Sequence, residues 1–313
     1  MVSIRLRHAF TSLSALLLLA AGSLSSFAAE PESAAQIQKF SIGTLSAVAL
    51  KDGALLEPDD GKSFVLGHSV AEVSAVLKAG GAPTDQIEFS IQPLLVHAGG
   101  RVLLFDTGAG SNFDNVGGKL PQSLAAARED AGSVTDIFIS HAHGDHVGGL
   151  IDAKGNLAFP NAAIHLSEAE WKSLSNLSEA DANKVGISNV TALVAAIRPK
   201  VVTFKPGAVL LPDIVKAVDI KGHTPGHSGY LIGSGNNTLL FIGDALHNYV
   251  LSVRRPTWQI SFDENKKVAE ASRVALLARV AASGERLYAG HFPFPGIGKI
   301  EHKKSGYVWV AEF

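Results

Sequence analysis

The segment ISHAHGDHVGG at residues 139–149 constrains this chain more than any other part of it. It carries four residues of metal-ligating type within six positions, namely His141, His143, Asp145 and His146. Burying several imidazoles and a carboxylate without partners is expensive, so such a group seldom arises in a core without a function. Histidine and carboxylate side chains, in a chain without cysteine, suit Zn²⁺ or a similar borderline ion. The segment therefore predicts a metal site and argues against a soft-metal or iron–sulfur site.

The apolar run at residues 134–139 predicts a buried strand that leads into these side chains. His141 and His143 alternate on the extended end of that strand, so both side chains are expected to point the same way. Asp145 and His146 follow where the chain turns. We therefore expect Asp145 and His146 to be better placed for a second ion than for the first.

Later loops add further residues of the same type. The loop GHTPGHS at residues 222–228 holds His223 and His227 around a Pro-Gly turn, and one short turn rarely aims two rings at one ion. His291 directly follows a predicted strand at residues 286–289. Asp244 ends another predicted buried strand, where an unpaired carboxylate would be costly and a metal is a natural partner.

The two halves of the chain repeat one plan. An apolar hairpin at residues 93–105 ends at Asp106, and a second hairpin at residues 229–242 ends at Asp244. In each half a helix, a strand and a histidine then follow. A duplication that buries two sheets face to face, with helices outside, would place both sets of strand ends on one edge. We expect the ligand-type residues to meet at that edge.

The spacing H-x-H-x-D-H after a strand resembles the signature of the metallo-β-lactamase superfamily of hydrolases. The run at 158–162, the loop at 223–228 and the segment FPGIG at 294–298 look like the methyl parathion hydrolase group and, more distantly, the N-acyl homoserine lactonases. The resemblance implies an α/β fold, the αββα sandwich of two mixed sheets face to face with helices outside. We assign residues 39–313 to this one hydrolase domain.

The resemblance also implies ligands for two ions. It makes Asp244 the bridge between them, with His141, His143 and His227 completing the first site and Asp145, His146 and His291 completing the second. In the superfamily the histidine after Pro-Gly is the ligand, which corresponds to His227 here and leaves His223 a supporting or structural role. Two Zn²⁺ or similar divalent ions per subunit are therefore implied.

The expected chemistry is metal-dependent hydrolysis. Two neighbouring cations lower the pKa of a shared water towards neutrality, and we expect this metal-bridging hydroxide to cleave esters, lactones or phosphotriesters. Asp145 is expected to be both a ligand and the catalytic residue that handles the proton, and Asp106 to orient the ligand loops. A mostly apolar mouth would favour neutral hydrophobic substrates. Its candidate aromatic residues are Trp171, Tyr249, Trp258, Phe262, Phe292 and Phe294.

Other functions stay open. β-Lactam hydrolysis lacks an obvious cation near the site for the substrate carboxylate, although Lys221 or Arg255 could serve. A single-iron persulfide dioxygenase is disfavoured because the ligands for a second ion are intact. A metal-holding binding protein with a vestigial site would bind zinc without turnover.

The N-terminal residues 1–28 predict a secretory signal, because Arg5 and Arg7 precede an apolar run and small residues end at Ala28. Residues 29–38 predict a flexible leader. We expect a secreted or periplasmic protein that is free of the membrane after signal cleavage. A net charge of −2 without a basic stripe argues against nucleic-acid binding. The expected partner is a small-molecule ester-like substrate, and a homodimer stays open.

Overall fold

Two mixed β-sheets, one from each half of the chain, form the centre of the computed structural model, which describes residues 35–113 and 116–313. The predicted signal, residues 1–28, lies outside the described residues. The predicted leader at 29–38 reaches too far, since residues 37 and 38 already belong to the first strand. Within the described residues, no helix combines the length and the hydropathy needed to cross a bilayer.

The strands of the N-terminal half are β1 (Ile37–Ile42), β2 (Leu45–Leu50), β3 (Gly53–Pro58), β4 (Val65–Leu66), β5 (Gln86–Ile91), β6 (Leu94–Ala98), β7 (Arg101–Phe105), β8 (Asp136–Phe138), β9 (Ala163–Ser167) and β10 (Val201–Phe204). The strands of the C-terminal half are β11 (Val209–Leu211), β12 (Val215–Asp219), β13 (Ser228–Ser234), β14 (Asn237–Phe241), β15 (Gln259–Ile260), β16 (Arg286–Tyr288), β17 (Ile297–Lys303) and β18 (Gly306–Ala311). The α-helices are α1 (Val70–Ala79), α2 (Leu120–Ala127), α3 (Gly144–Val147), α4 (Glu168–Leu174), α5 (Glu179–Lys184), α6 (Val190–Ile197), α7 (Leu251–Arg254) and α8 (Lys266–Ser283).

The repeat predicted from the sequence is present in the topology. The first sheet has the strand order β1-β2-β6-β7-β8-β9-β10 and the second has the order β11-β12-β13-β14-β16-β17-β18. In the first sheet the hairpin β6–β7 is followed by β8, parallel to β7. In the second sheet the hairpin β13–β14 is followed by β16, parallel to β14. Asp106 and Asp244 follow corresponding hairpins, and His141 and His291 follow corresponding parallel strands.

The sheets pack face to face, which confirms the predicted αββα sandwich. Aromatic side chains fill the space between them, and Phe105 of the first sheet lies 5.7 Å, between ring centroids, from Phe241 of the second. On the outer face of the first sheet, Leu124 of α2 joins a second apolar cluster. On the outer face of the second sheet, Leu277 of α8 does the same. Each such buried side chain stabilises the fold by roughly 1.5–3 kcal/mol.

Some elements differ from the sequence prediction. Residues 37–50 form an unpredicted hairpin, β1–β2, that turns at Gly43 with φ of 59°. Strands β3 and β5, which pair with one another, were not predicted, and neither was β17. The sequence of β17, IGKIEHK, mixes charged residues with a glycine and so lacks a strong apolar pattern.

Candidate metal centre

The first group of converging ligand atoms lies where the loop after β8 meets the loop between β12 and β13. Its members are His141, His143, His223 and Asp244, whose ligand atoms all lie within 4.8 Å of one another. Nε2 of His223 lies 3.2 Å from Nε2 of His141 and 3.0 Å from Nδ1 of His143. A tetrahedral zinc ion, with its metal–nitrogen bonds of ~2.0–2.1 Å, separates its ligand nitrogens by about 3.3 Å. The spacing of these nitrogens therefore suits a shared cation.

The second group combines Asp145, His146 and His291. Asp145 and His146 lie on the one-turn helix α3, directly after the first group's histidines, while His291 follows β16. Oδ2 of Asp145 lies 3.4 Å from Nε2 of His146 and 3.5 Å from Nε2 of His291. The turn after β8 thus divides the motif at residues 141–146 between the two groups, with His141 and His143 in the first and Asp145 and His146 in the second.

Asp244 lies between the two groups. Its Oδ1 is 3.2 Å from Nε2 of His146, its Oδ2 is 3.3 Å from Nε2 of His223, and both oxygens are 3.1 Å from Nε2 of His291. One carboxylate therefore reaches histidine nitrogens of both groups, which is the position of a bridging ligand. The preceding residue, Gly243, has φ of 49°, and a Cβ there would lie 2.6 Å from Nε2 of His227. Only glycine fits this approach to Asp244 without strain.

Carboxylates orient one histidine in each group. Nδ1 of His146 donates to Oδ2 of Asp106 at 2.7 Å, and Nδ1 of His223 donates to Oδ1 of Asp263 at 3.1 Å. Asp106 also accepts hydrogen bonds from the backbone N–H and the hydroxyl of Ser140. Such contacts fix the tautomer, so that Nε2 of each ring faces the ligand position. The contacts of Asp106 match the orienting role expected for it.

The structure corrects the prediction for the two histidines of the Pro-Gly turn. Nδ1 of His227 donates to the carbonyl of Ile220 at 2.8 Å, and its Nε2 accepts from the backbone N–H of Asp244 at 2.9 Å. Both nitrogens of His227 are therefore engaged by the backbone. The histidine of this turn that lies with His141 and His143 is His223, not His227 as predicted. Burial, with the nearby His223, lowers the pKa of His227 to about 3, in agreement with a neutral ring that accepts a hydrogen bond.

Glu170 connects the loops that carry the first group. At the start of α4 the hydroxyl of Ser167 accepts from the backbone N–H of Glu170, but the Glu170 carboxylate does not return to cap Ser167. Its Oε1 accepts from the backbone N–H of Ala142, and its Oε2 accepts from the Thr224 hydroxyl and the Gly226 N–H. Nothing in the local sequence shows that Glu170 reaches two distant loops.

The charges of the two groups favour a bound cation. Burial lowers the pKa of His141 well below its usual value, which leaves the neutral imidazole that ligates metals. Burial acts in the same direction on His146, but the carboxylates of Asp244, Asp145 and Asp106 outweigh it and raise the pKa of His146. A surplus of buried carboxylate charge is therefore concentrated where the ligand atoms meet.

Several buried atoms lack partners in a way that a metal would explain. Within residues 35–113 and 116–313, Nε2 of His146, Oδ1 of Asp244 and both ring nitrogens of His247 form no hydrogen bond. Leaving a buried polar atom unpaired costs roughly 1–3 kcal/mol, and more for a charged group. Divalent cations would satisfy His146 and Asp244, so the residues present fit the metals that the motif implies. Nε2 of His247 lies 3.4 Å from Oδ2 of Asp244.

Aromatic side chains border the ligand groups on one side. The rings of Phe64 and Phe262 each lie 5.9 Å from His247, and the ring of Phe89 lies 6.1 Å from His291. Phe262 was among the sequence candidates. Phe64 and Phe89 were missed because they lie before the first histidine motif, in a region without other signals.

Other aromatic candidates pack away from the site. Trp171 joins the outer cluster of the first sheet, with the guanidinium of Arg198 5.3 Å from its ring. Phe292 packs against Trp309 in the outer cluster of the second sheet. Trp258 stacks on His68, with 3.9 Å between the ring centroids.

Comparison with known proteins gives one family. The family profile described as the metallo-beta-lactamase superfamily matches residues 89–291. The dizinc quorum-quenching lactonase AidC, solved in complex with a product, N-hexanoyl-L-homoserine, is 32% identical, with a TM-score of 0.82 over 90% of this chain and 98% of that one. The hydrolase AbOPH of the beta lactamase superfamily is 29% identical, with a TM-score of 0.78 over 88% of this chain and 97% of that one. A probable metal-dependent hydrolase from Staphylococcus aureus, 17% identical, shares the fold, with a TM-score of 0.70 over 88% and 100% of the two chains. No curated protein sequence matches the chain.

Proposed function

The chain belongs to the metallo-β-lactamase superfamily of metal-dependent hydrolases, and from that membership we propose that it is a dinuclear zinc enzyme that opens lactones and cleaves related esters. One observation carries the proposal, namely that the Asp244 carboxylate lies within 3.3 Å of a histidine nitrogen of each group. A single ion would use only one of those groups. The second group, with its own aspartate and two histidines, argues for a second ion.

The residues that would hold the metals follow from the two groups. His141, His143 and His223 would bind the first ion, and Asp145, His146 and His291 would bind the second, with Asp244 shared. Two divalent cations would supply a water of lowered pKa and would polarise the carbonyl oxygen of the substrate. No serine or cysteine nucleophile is then required for hydrolysis.

Asp145 is the residue that we propose to move the proton. Its side chain is 19% exposed, whereas those of His146 and Asp244 are 6% and 5% exposed. Of these three, Asp145 is therefore the one that a substrate can approach from solvent. Its carboxylate would accept the proton of the attacking water and return it to the alkoxide that leaves when the ring opens.

The surroundings of the site favour a neutral, hydrophobic acyl group. The half-buried Phe262 borders His247, and the buried rings of Phe64 and Phe89 lie next to His247 and His291, so the acyl side of the site would be apolar. The likeness to AidC, which was solved with N-hexanoyl-L-homoserine, supports an N-acyl homoserine lactone as the substrate class. Phosphotriesters, expected from the sequence, belong in the same substrate panel.

The competing enzyme functions receive less support. For β-lactams, the two candidate cations are otherwise engaged, since Lys221 pairs with Asp219 at 3.1 Å and Arg255 donates to the carbonyl of Arg254. A single-iron dioxygenase would leave the group of Asp145, His146 and His291 without a purpose. We therefore place lactone hydrolysis first.

The proposal is tested with a substrate panel on zinc-loaded protein. N-Hexanoyl homoserine lactone, an aryl ester, a phosphotriester and a cephalosporin are compared before and after treatment with a chelator. We expect the lactone to be hydrolysed with the highest kcat/KM and the activity to disappear with the metal. Activity that survives complete metal removal would contradict the proposal, and the highest kcat/KM on the cephalosporin would favour the β-lactam alternative.

We also propose that the enzyme is exported, on the strength of the signal pattern at residues 1–28. Expression of the full-length chain in a Gram-negative host, followed by fractionation and N-terminal sequencing, tests this. A mature N-terminus at residue 29 in the periplasmic fraction is expected. An intact N-terminus in the cytoplasmic fraction would contradict export.

A further inference from the structure

Asp263 is a buried carboxylate that contacts the first ligand group without supplying one of its four ligands. It lies between β15 and α8 and is 1% exposed. Its Oδ1 accepts the hydrogen bond from Nδ1 of His223 at 3.1 Å, and its Oδ2 accepts from Nη1 of Arg273 at 3.2 Å. Asp263 also lies close to His223 and His247, but both of its oxygens are already used. Its position therefore suits support of His223 rather than a third metal site.

Arg273 is buried on α8, with 1% of its surface exposed. A buried guanidinium is costly unless its donors are satisfied. Besides Asp263, Arg273 donates through Nε to the carbonyl of Pro256 at 2.8 Å and through Nη2 to the carbonyl of Trp258 at 3.0 Å. The same side chain thus holds Asp263 and the segment at residues 256–258 in one arrangement.

We propose that Asp263 is a positioning residue of the first group and that Arg273 holds it in place. Because Asp263 accepts from Nδ1 of His223, it keeps Nε2 of that ring aimed at His141 and His143. The second group has an equivalent partner, since Asp106 accepts from Nδ1 of His146. Each ligand group then has one histidine oriented by a carboxylate from outside the group.

A second trio in the same chain provides a matched control. Asp136 is 3% exposed, and its Oδ1 accepts from Nε2 of His165 at 3.0 Å, while its Oδ2 accepts from Nη1 of Arg101 at 2.7 Å. Asp136 therefore repeats the aspartate, histidine and arginine contacts of Asp263. His165 belongs to neither ligand group, so this trio stabilises the fold without contact to a ligand.

The test compares Asp263→Asn with Asp136→Asn. Zinc affinity is measured by competition with a chromophoric chelator, and the thermal stability of each metal-free protein is measured separately. We expect Asp263→Asn to weaken the binding of one of two zinc ions about 10–100-fold. We expect Asp136→Asn to lower the unfolding temperature and to leave zinc affinity unchanged. Unchanged affinity in Asp263→Asn, or equal losses in both variants, would overturn the proposal.

A measurement on the unsubstituted protein covers the case in which Asp263→Asn does not fold. Long-range ¹H–¹⁵N spectra of the zinc-loaded protein report which nitrogen of each histidine ring carries the proton. We expect His223 to be protonated at Nδ1, with that proton protected from exchange. A His223 ring protonated at Nε2, or a rapidly exchanging Nδ1 proton, would overturn the proposal.

This inference rests on the proposed metal site, but the two fail in different ways. If the unsubstituted protein binds no zinc, the proposed function fails. If it binds two zinc ions and Asp263→Asn binds them equally well, only the inference about Asp263 fails. Because zinc affinity is measured without substrate, an error in the substrate class affects neither result.

Discussion

The backbone N–H of Asp244 donates to Nε2 of His227 over 2.9 Å. This hydrogen bond fixes the turn that presents the Asp244 carboxylate between the two groups of histidines. It also occupies the nitrogen that His227 would need to bind a metal. His227 therefore supports the backbone of Asp244, and His223 is the histidine of the Pro-Gly turn whose Nε2 faces His141 and His143.

The first prediction separates the two histidines of that turn. His223→Ala should lose one zinc ion and nearly all hydrolysis, because the first group keeps only His141, His143 and the shared Asp244. His227→Ala should keep both zinc ions, but it should lose roughly 1–3 kcal/mol of stability because the N–H of Asp244 is left unpaired. Zinc content and urea unfolding of both variants test this. Loss of zinc from His227→Ala with retention in His223→Ala would show that the ligand assignment is wrong.

The second prediction concerns Glu170. Glu170→Gln replaces one carboxylate oxygen with an NH₂ group. That NH₂ group cannot accept the hydrogen bonds that the Ala142 N–H or the Thr224 hydroxyl donates to Glu170. We expect a loss of roughly 1–3 kcal/mol in the free energy of unfolding. Glu168→Gln, an exposed change in the first turn of the same helix, is the control and should stay close to the unsubstituted protein. Similar urea midpoints for the two variants would contradict the claim that Glu170 stabilises the fold by connecting two loops.

The third prediction concerns Gly243. Both Gly243 and Gly99 have positive φ, but a Cβ at Gly99 meets no atom within 4 Å, whereas at Gly243 it would lie 2.6 Å from Nε2 of His227. Gly99→Ala should therefore cost only the backbone strain, about 1–2 kcal/mol. Gly243→Ala should cost more and should also weaken zinc binding, because it displaces Asp244. Calorimetry and zinc titration of the pair measure the difference. Equal stability and equal zinc affinity in the two variants would contradict this account of Gly243.

The fourth prediction concerns acid stability at Asp136. Hydrogen bonds from His165, Thr135 and Arg101 outweigh its burial and lower the pKa of Asp136 to about 2, below the value of 3.8 expected when unfolded. The stability that Asp136 contributes is therefore present above pH 4 and is lost as the pH falls towards 2. The difference in unfolding free energy between metal-free unsubstituted protein and Asp136→Asn should shrink over that range. A difference in unfolding free energy that stays constant from pH 5 to pH 2 would contradict the lowered pKa of Asp136.

Much of the fold could be predicted from the sequence because its signals are local. The helix at residues 70–79 is bounded by residue types that mark helix ends, with Ser69 capping its start and Gly80 its end. The two hairpins end at Asp106 and Asp244, as their apolar patterns indicate. The two halves then place the ends of their strands at the same edge of the sandwich, which brings distant histidines together. Periodicity and turn residues are sufficient for this level of description.

The parts that escaped prediction depend on contacts between segments far apart in the chain. His223 and His227 flank one turn with similar neighbours, and only the three-dimensional course of the chain shows that Asp244 binds to His227. Glu170 and Asp263 act through hydrogen bonds to residues far away in the sequence, which no local pattern identifies. Phe64 directly precedes the two-residue strand β4, which pairs with β15, almost two hundred residues away.

The most direct test of the account is the number of zinc ions bound per chain. Metal-free protein is titrated with zinc, and the stoichiometry is measured by calorimetry and by elemental analysis after gel filtration. Because the Asp244 carboxylate reaches both ligand groups, the account predicts two zinc ions per chain. A stoichiometry of one, or no tightly bound zinc, would contradict it.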